Sequence, residues 1–251
     1  MSTYKPLAEK LRPSELNDFI GQRHLLDSDK PIGKALSDKQ LHSMILWGPS
    51  GVGKTTLARI ICAQMGAHFE QMSAVLDGIK ELRNVIKHAE LYKQNDTSTI
   101  LFVDEIHRFN KAQQDAFLPH IESGLITLIG ATTENPSFEI NSSVLSRARV
   151  YILNKLSSKE LESIAVRAMT DQAITLENDG SLSLIIDSSD GDARRLINII
   201  EQLTPKSNHA LSKKDIIKTL QSKVSSFDKG GDIYYEQLSA FHKSVRGSSP
   251  D

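Results

Sequence analysis

The segment Gly48-Pro49-Ser50-Gly51-Val52-Gly53-Lys54-Thr55 constrains the fold more than any other stretch of this 251-residue chain. It fits the spacing G-x-x-x-x-G-K-[ST], and its neighbours supply the context such a loop needs. Ser43–Trp47 is a short apolar run that reads as a strand, and Lys54–Met65 reads as a helix with Leu57, Ile60 and Ile61 on one face. A glycine-rich turn between strand and helix lets successive backbone N–H groups wrap an anion, while the helix N-terminus adds its positive end. Pro49, Ser50, Gly51, Val52, Gly53 and Thr56 are therefore candidates for binding nucleotide phosphates, with Lys54 reaching the β- and γ-phosphates and Thr55 ligating Mg²⁺. The cofactors implied are ATP and Mg²⁺.

Such a loop requires an acidic partner for the metal. The apolar run Thr99–Val103 ends in Asp104 and Glu105, 50 and 51 residues beyond Lys54. Two carboxylates at the end of a buried strand are costly to desolvate unless something neutralises or uses them. Asp104 is expected to hold Mg²⁺, and Glu105 to polarise the attacking water. His107 completes a D-E-x-H string that suggests a helicase box, but that kind of helicase needs a second motor domain, for which the chain has no room. His107 is left open between nucleotide sensing and local packing at the start of the next helix.

Three further polar stretches follow strands or open helices. Leu125–Ala131 reads as a strand running into Thr132-Thr133-Glu134-Asn135, where Thr133 or Asn135 can orient water or merely cap a helix. Ser146-Arg147-Ala148-Arg149 holds two arginines that are either solvated or able to reach the γ-phosphate of a neighbouring subunit. Gly191-Asp192-Ala193-Arg194-Arg195 opens a helix from which Arg194 can touch the phosphates of its own chain.

His68–Met72 and Val150–Leu153 add two short apolar runs, and Asp77–Gln94 repeats Leu82, Val85, Ile86 and Ala89 at helical spacing. Strands alternating with helices argue for a parallel α/β sheet over residues 1–154. After Asn154 the pattern turns helical to about Gln221, opened by the capping sequence Ser157-Ser158-Lys159-Glu160. Residues 155–224 are thus expected to form a small all-α lid. Residues 225–251 are expected to hold a linker, Ser225–Asp232, and the start of another helical domain, with an apolar stripe over Ile233–Val245. The ending Ser249-Pro250-Asp251 has the signature of a helix start, so the chain is expected to be cut from a longer protein.

Lys plus Arg against Asp plus Glu count 17 to 17 over residues 1–154 and 13 to 14 over 155–251, so neither part is a basic nucleic-acid module in bulk. Any DNA contact must be local or assembled across subunits, with Arg108 and Lys111 the first places to look, though both fit an exposed helix start equally well. No apolar stretch approaches the roughly 20 residues that span a bilayer. Met1–Pro6 carries no apolar signal core, so a cytoplasmic protein is expected. Cys62, the single cysteine, sits in an apolar helical pattern and reads as a buried, inert thiol.

Taken in order, "RPSELNDFIGQ" (12–22), "GPSGVGKT", "FVDE", "ATTEN", "SRAR" and "GDARR" resemble the AAA+ ATPases, in particular the clamp-loader and Holliday-junction-helicase branch. The strings "FVDEIHRFNKAQQDAFLPHIE" and "LIGATTENPSFEIN" are similar to the replication-associated recombination protein A family, also called maintenance of genome stability protein A, whose eukaryotic relative is the Werner helicase-interacting protein. The resemblance implies a P-loop core with a parallel five-stranded sheet followed by the all-α lid. It implies that Arg12, Pro13, Phe19, Ile20, Gly21 and Gln22 close over the adenine. Thr133 aligns with sensor 1, Arg147 (or else Arg149) with the arginine finger, and Arg194 with sensor 2; with Lys54 and Glu105 these form the expected catalytic set. It further implies DNA-stimulated ATP hydrolysis at stalled forks or DNA ends, association with single-strand-binding protein, nucleoid association, and a tetramer built by a C-terminal domain. Two other functions stay open: a clamp-loader subunit, which would bind a sliding clamp, and a nucleotide-gated adaptor without significant turnover.

Overall fold

Five short runs, β1 (Met44–Trp47), β2 (His68–Ser73), β3 (Thr99–Asp104), β4 (Ile126–Thr132) and β5 (Arg149–Ile152), pair in parallel in the order β2-β3-β4-β1-β5. They belong to a computed structural model that describes residues 4–203 and 210–227, the last six by backbone alone. The central strands are continuous apolar runs because helices cover both faces of the sheet. Met44, Leu46, Ile100 and Phe102 enter one core, while Ile45, Leu101 and Val103 enter the other.

Helices α1 (Leu7–Lys10), α2 (Arg23–Leu26) and α3 (Pro31–Ser37) precede the sheet. Then come α4 (Lys54–Met65), α5 (Ile79–Lys93), α6 (Lys111–Asp115), α7 (Leu118–Glu122), α8 (Pro136–Glu139) and α9 (Ser142–Leu145) between its strands. α4 packs in the first core through Leu57, Ala58 and Ile61, and α5 in the second through Leu82, Val85, Ile86 and Ala89. The helix expected from Asp77 starts at Ile79. The Asp77 carboxylate accepts the Ser73 N–H at 2.7 Å, which turns the chain, and Glu81 then caps the helix through the Gly78 N–H at 2.9 Å.

The all-helical part holds α10 (Ser158–Asp171), α11 (Ser181–Ser189), α12 (Ala193–Gln202) and α13 (Lys213–Phe227) around its own core of Leu161, Ala165, Ile185, Leu196 and Ile200. Ser157 opens α10 as a capping box with Glu160. Leu7 also belongs to this helical core, although the sequence assigned residues 1–154 to the sheet part. α13 runs to Phe227, three residues into the stretch read as linker; residues 228–251, including the Ile233–Val245 stripe and Ser249-Pro250-Asp251, lie outside the described residues.

The sheet and the helical part meet at a short hinge. The buried side chain of Gln22 behaves there like a piece of strand: its Nε2 donates to the Asn154 carbonyl at 2.8 Å and its Oε1 accepts the Asn154 N–H at 2.9 Å.

Candidate nucleotide site

The carboxyl ends of β1 and β3 open into one cavity of about 450 Å³ beneath the helical part. Ser50, Gly51, Val52, Gly53, Lys54, Thr55 and Thr56 form its floor. Gly53 holds φ at +96°, and a Cβ there would press on the Phe19 ring at 2.8 Å, so the loop needs glycine for both its turn and its neighbour. Lys54 is buried and donates from Nζ to the carbonyls of Gly48 and Pro49, at 2.7 and 2.8 Å. Burial holds its pKa below the ordinary lysine value, with the Glu105 and Asp104 carboxylates pulling the other way. Pro49 itself is not on the cavity wall.

Asp104 and Glu105 line the same cavity. Asp104 closes β3, and Glu105 stands in the left-handed region at φ +53°, a conformation that costs a non-glycine residue on the order of 1–3 kcal/mol. The cause lies one strand away. Ile106, fully buried, fills the space over Gly130, where an added Cβ would sit 3.0 Å from its Cδ1 and 2.7 Å from the Cδ1 of Ile45. Gly130 in β4 thus makes room for the turn that aims Glu105 at the cavity. In that turn His107 faces inward, its Nδ1 2.9 Å from Thr132 Oγ1 and 3.4 Å from Glu105 Oε2.

The helical part bears directly on the phosphate loop. Asp192 caps α12 by accepting the Arg195 N–H at 2.8 Å, and its other carboxylate oxygen accepts the Ser50 hydroxyl at 2.8 Å. The Ala193 N–H donates to the Gly51 carbonyl at 3.1 Å, and a Cβ on Gly51 would overlap the Asp192 carboxylate at 1.7 Å. This latch brings Arg194, the next residue of α12, to the cavity wall. Arg12 also lines the cavity, and Pro13, Phe19, Ile20, Ile164 and Ile197 add apolar wall suited to a flat base. Gly21 and Gln22 lie behind it, where Gly21 packs on Leu156 and Gln22 holds the hinge.

Besides Pro49, Gly21 and Gln22, three more residues of the expected set lie off the cavity: Thr133, Arg147 and its alternative Arg149. Thr133 is exposed beyond the end of β4, and the buried threonine of that strand end is Thr132. Arg147 forms an ion pair with Glu122, its Nε 2.6 Å from Oε1, and donates to the Ser143 carbonyl and the Ser146 hydroxyl, both at 2.9 Å. Arg149 begins β5 and is exposed. Sequence reasoning passed over Asp192, Ser50's partner, and Thr132, the residue His107 meets. Thr132 had one local signal, a β-branched residue that prolongs the apolar run of β4.

A parallel five-stranded P-loop core, paired acids on the strand next to the loop's partner strand, and a helical lid carrying an arginine define an AAA+ ATPase module. Comparison with known proteins agrees. Residues 11–148 match the Holliday junction DNA helicase RuvB P-loop domain, and residues 170–246 match the AAA C-terminal domain. The chain is 49% identical to replication-associated recombination protein A of Escherichia coli strain K12, over all of this chain and 59% of that one. It is 42% identical to the ATPase WRNIP1 of Dictyostelium discoideum, over 98% of this chain and 31% of that one. Among solved structures it is similar to the RuvB Holliday junction branch migration motor of Thermotoga maritima, with a TM-score of 0.69 at 28% identity, over 84% of this chain and 72% of that one. The chain belongs to the replication-associated recombination protein A family of AAA+ ATPases, and its P-loop domain is of the RuvB type. It spans 59% of the length of the Escherichia coli relative.

Proposed function

We propose that this protein is a Mg²⁺-dependent ATP hydrolase whose turnover remodels DNA or replication assemblies. The observation that carries the reading is convergence: the phosphate loop, the Asp104–Glu105 pair and Arg194 come from three distant parts of the chain and line one cavity. Residues 1–154 act as the ATPase core, 155–224 as the lid, and residues from 225 onward as the approach to a further helical domain. The apolar slot at Phe19, Ile20 and Ile197 takes the adenine, and the loop amides take the phosphates. Lys54 exchanges the Gly48 and Pro49 carbonyls for phosphate oxygens.

Thr55 and Asp104 are the residues that would hold Mg²⁺, which when bound supplies charge neutralisation at the β- and γ-phosphates. The donor set fits that ion. Thr55 and Asp104 both line the cavity, and among the described residues no group of three or more His, Cys, Asp or Glu is arranged to hold a metal. Mg²⁺ takes its remaining ligands from phosphate and water. Glu105 orients the attacking water and accepts its proton, while Arg194 meets the phosphates in cis. Thr133 serves as sensor 1; its support is that it follows β4, the strand between β3 and β1. Arg147 acts in trans as the arginine finger; its support is that it lies outside its own chain's cavity, on an exposed ion pair that a neighbour can displace.

The replication, recombination and Holliday-junction names of the relatives support DNA as the partner. The proposal extends to forks or ends as the DNA, a homo-oligomeric assembly, single-strand-binding protein as an associate, and work in the cytoplasm at the nucleoid. Among the described residues no helix is long and apolar enough to cross a membrane. The test is phosphate release by the full chain with single strands, forks and duplex ends. Glu105→Gln is expected to bind ATP normally and release no phosphate. A wild-type chain that binds ATP but releases no phosphate on any of these DNAs would make it a nucleotide-gated adaptor instead.

A further inference from the structure

We infer that His107 is a positioning residue for Glu105, holding the carboxylate of the base through a hydrogen-bond junction centred on Thr132. The inference rests on Glu105 being the base.

The side chain of His107 is only 9% exposed, so its polar edge is satisfied by the protein and not by water. That edge meets two oxygens with one atom: Nδ1 lies 2.9 Å from Thr132 Oγ1 and 3.4 Å from Glu105 Oε2. The hydroxyl of Thr132 is already engaged. It accepts the Glu134 N–H at 3.0 Å, and the Glu134 carbonyl stands within donating distance of it at 3.3 Å. The Glu105 carboxylate offers nothing but lone pairs, so a hydrogen on Nδ1 gives the ring a hydrogen bond to Thr132 Oγ1 at 2.9 Å and a favourable electrostatic contact with Glu105 Oε2 at 3.4 Å. The ring thereby stands between the base on β3 and the end of β4.

The junction also touches the phosphate loop. The carbonyl of Thr132 accepts the Gly48 N–H at 3.1 Å, and Gly48 begins that loop. A shift of the loop on nucleotide binding reaches Thr132 through its backbone, His107 through its hydroxyl, and Glu105 through the ring. Glu105 sits in a left-handed turn, where its backbone has no spare freedom to find the water by itself. Packing alone does not require this arrangement: a phenyl ring fills the same space and offers no donor.

The experiment measures steady-state phosphate release, ATP binding and thermal stability in the full chain, for wild type, Glu105→Gln, His107→Phe, His107→Asn and Thr132→Val. Phenylalanine keeps the bulk and removes the donor, whereas the asparagine amide nitrogen can take the place of Nδ1. His107→Phe is expected to lower kcat by about 10- to 100-fold, the scale of a misplaced reacting group, with KM for ATP unchanged. His107→Asn recovers most of the lost rate, and Thr132→Val loses rate from the other side of the junction. His107→Phe turning over at the wild-type rate, or His107→Asn no faster than His107→Phe, would overturn the inference while leaving hydrolysis intact. Glu105→Gln turning over like wild type would remove the base, and the inference with it.

Discussion

The latch between α12 and the phosphate loop can be measured bond by bond. Asp192 does two jobs: it caps α12 through the Arg195 N–H and accepts the Ser50 hydroxyl, each at 2.8 Å. Ser50 does only the second. Loss of a helix cap costs about 1 kcal/mol. A hydrogen bond from a hydroxyl to a carboxylate at a partly exposed position contributes about 1 kcal/mol. Ser50→Ala should therefore weaken docking by about 1 kcal/mol and Asp192→Ala by about 2 kcal/mol, with the double variant no worse than Asp192→Ala because the shared bond can be lost only once. The Ala193 amide reports on this locally, since it donates to the Gly51 carbonyl at 3.1 Å across the same contact. Its hydrogen exchange in the nucleotide-free protein, followed by NMR, should quicken about 5-fold in Ser50→Ala and about 30-fold in both Asp192→Ala and the double variant. Additive effects, with the double variant near 150-fold on the same scale, would show that Ser50 and Asp192 do not act through each other. Unchanged exchange in Ser50→Ala would show that the contact holds nothing.

Other perturbations have equally definite outcomes. Gly130→Ala places a methyl against Ile45 and Ile106 and should cost about 2 kcal/mol in urea unfolding, together with a fall in kcat as the Glu105 turn is displaced; an unchanged midpoint would refute the packing account. Gln22→Ala strips Asn154 of both its partners, so it should cost about 2 kcal/mol and lower Tm by about 4–8 °C. Burial pushes the Cys62 thiol up to about 11 from 9.0, so iodoacetamide at pH 8 should label it about 100-fold more slowly than an ordinary thiol. Because the folded pKa is the higher one, the stability linked to Cys62 is full below pH 9 and is lost between about 9 and 11, worth about 3 kcal/mol. Cys62→Ala should flatten that alkaline decline in urea midpoint, and a decline left unchanged would assign it to other groups.

Much of this architecture could be read from short stretches. The strands reveal themselves because Ile100–Val103 and Leu128–Ile129 are buried on both faces and so are apolar without alternation. The phosphate loop and the Asp104–Glu105 pair announce themselves because their chemistry needs fixed spacings over a few residues. What escaped reading depends on contacts between distant segments. Ser50 and Asp192 are 142 residues apart, Gln22 and Asn154 are 132 apart, and His107 and Thr132 are 25 apart. No periodicity within one helix or strand encodes such pairs. Leu7 shows the same limit, since nothing in its neighbourhood tells that it joins a core formed almost 200 residues later.

The course of the first 22 residues has a mechanical consequence. The chain is anchored at Leu7 in the helical core, crosses the mouth of the cavity as Arg12 to Ile20, and is tied down again at Gln22 on the hinge. It is a strap sewn at one end into the helical core and at the other to the junction between the sheet and the helical part. The helical part therefore cannot swing away without dragging the wall of the base slot with it. Under the proposed function, nucleotide exit is thereby coupled to any movement of the helical part, because one segment joins the wall of the base slot to that part's core.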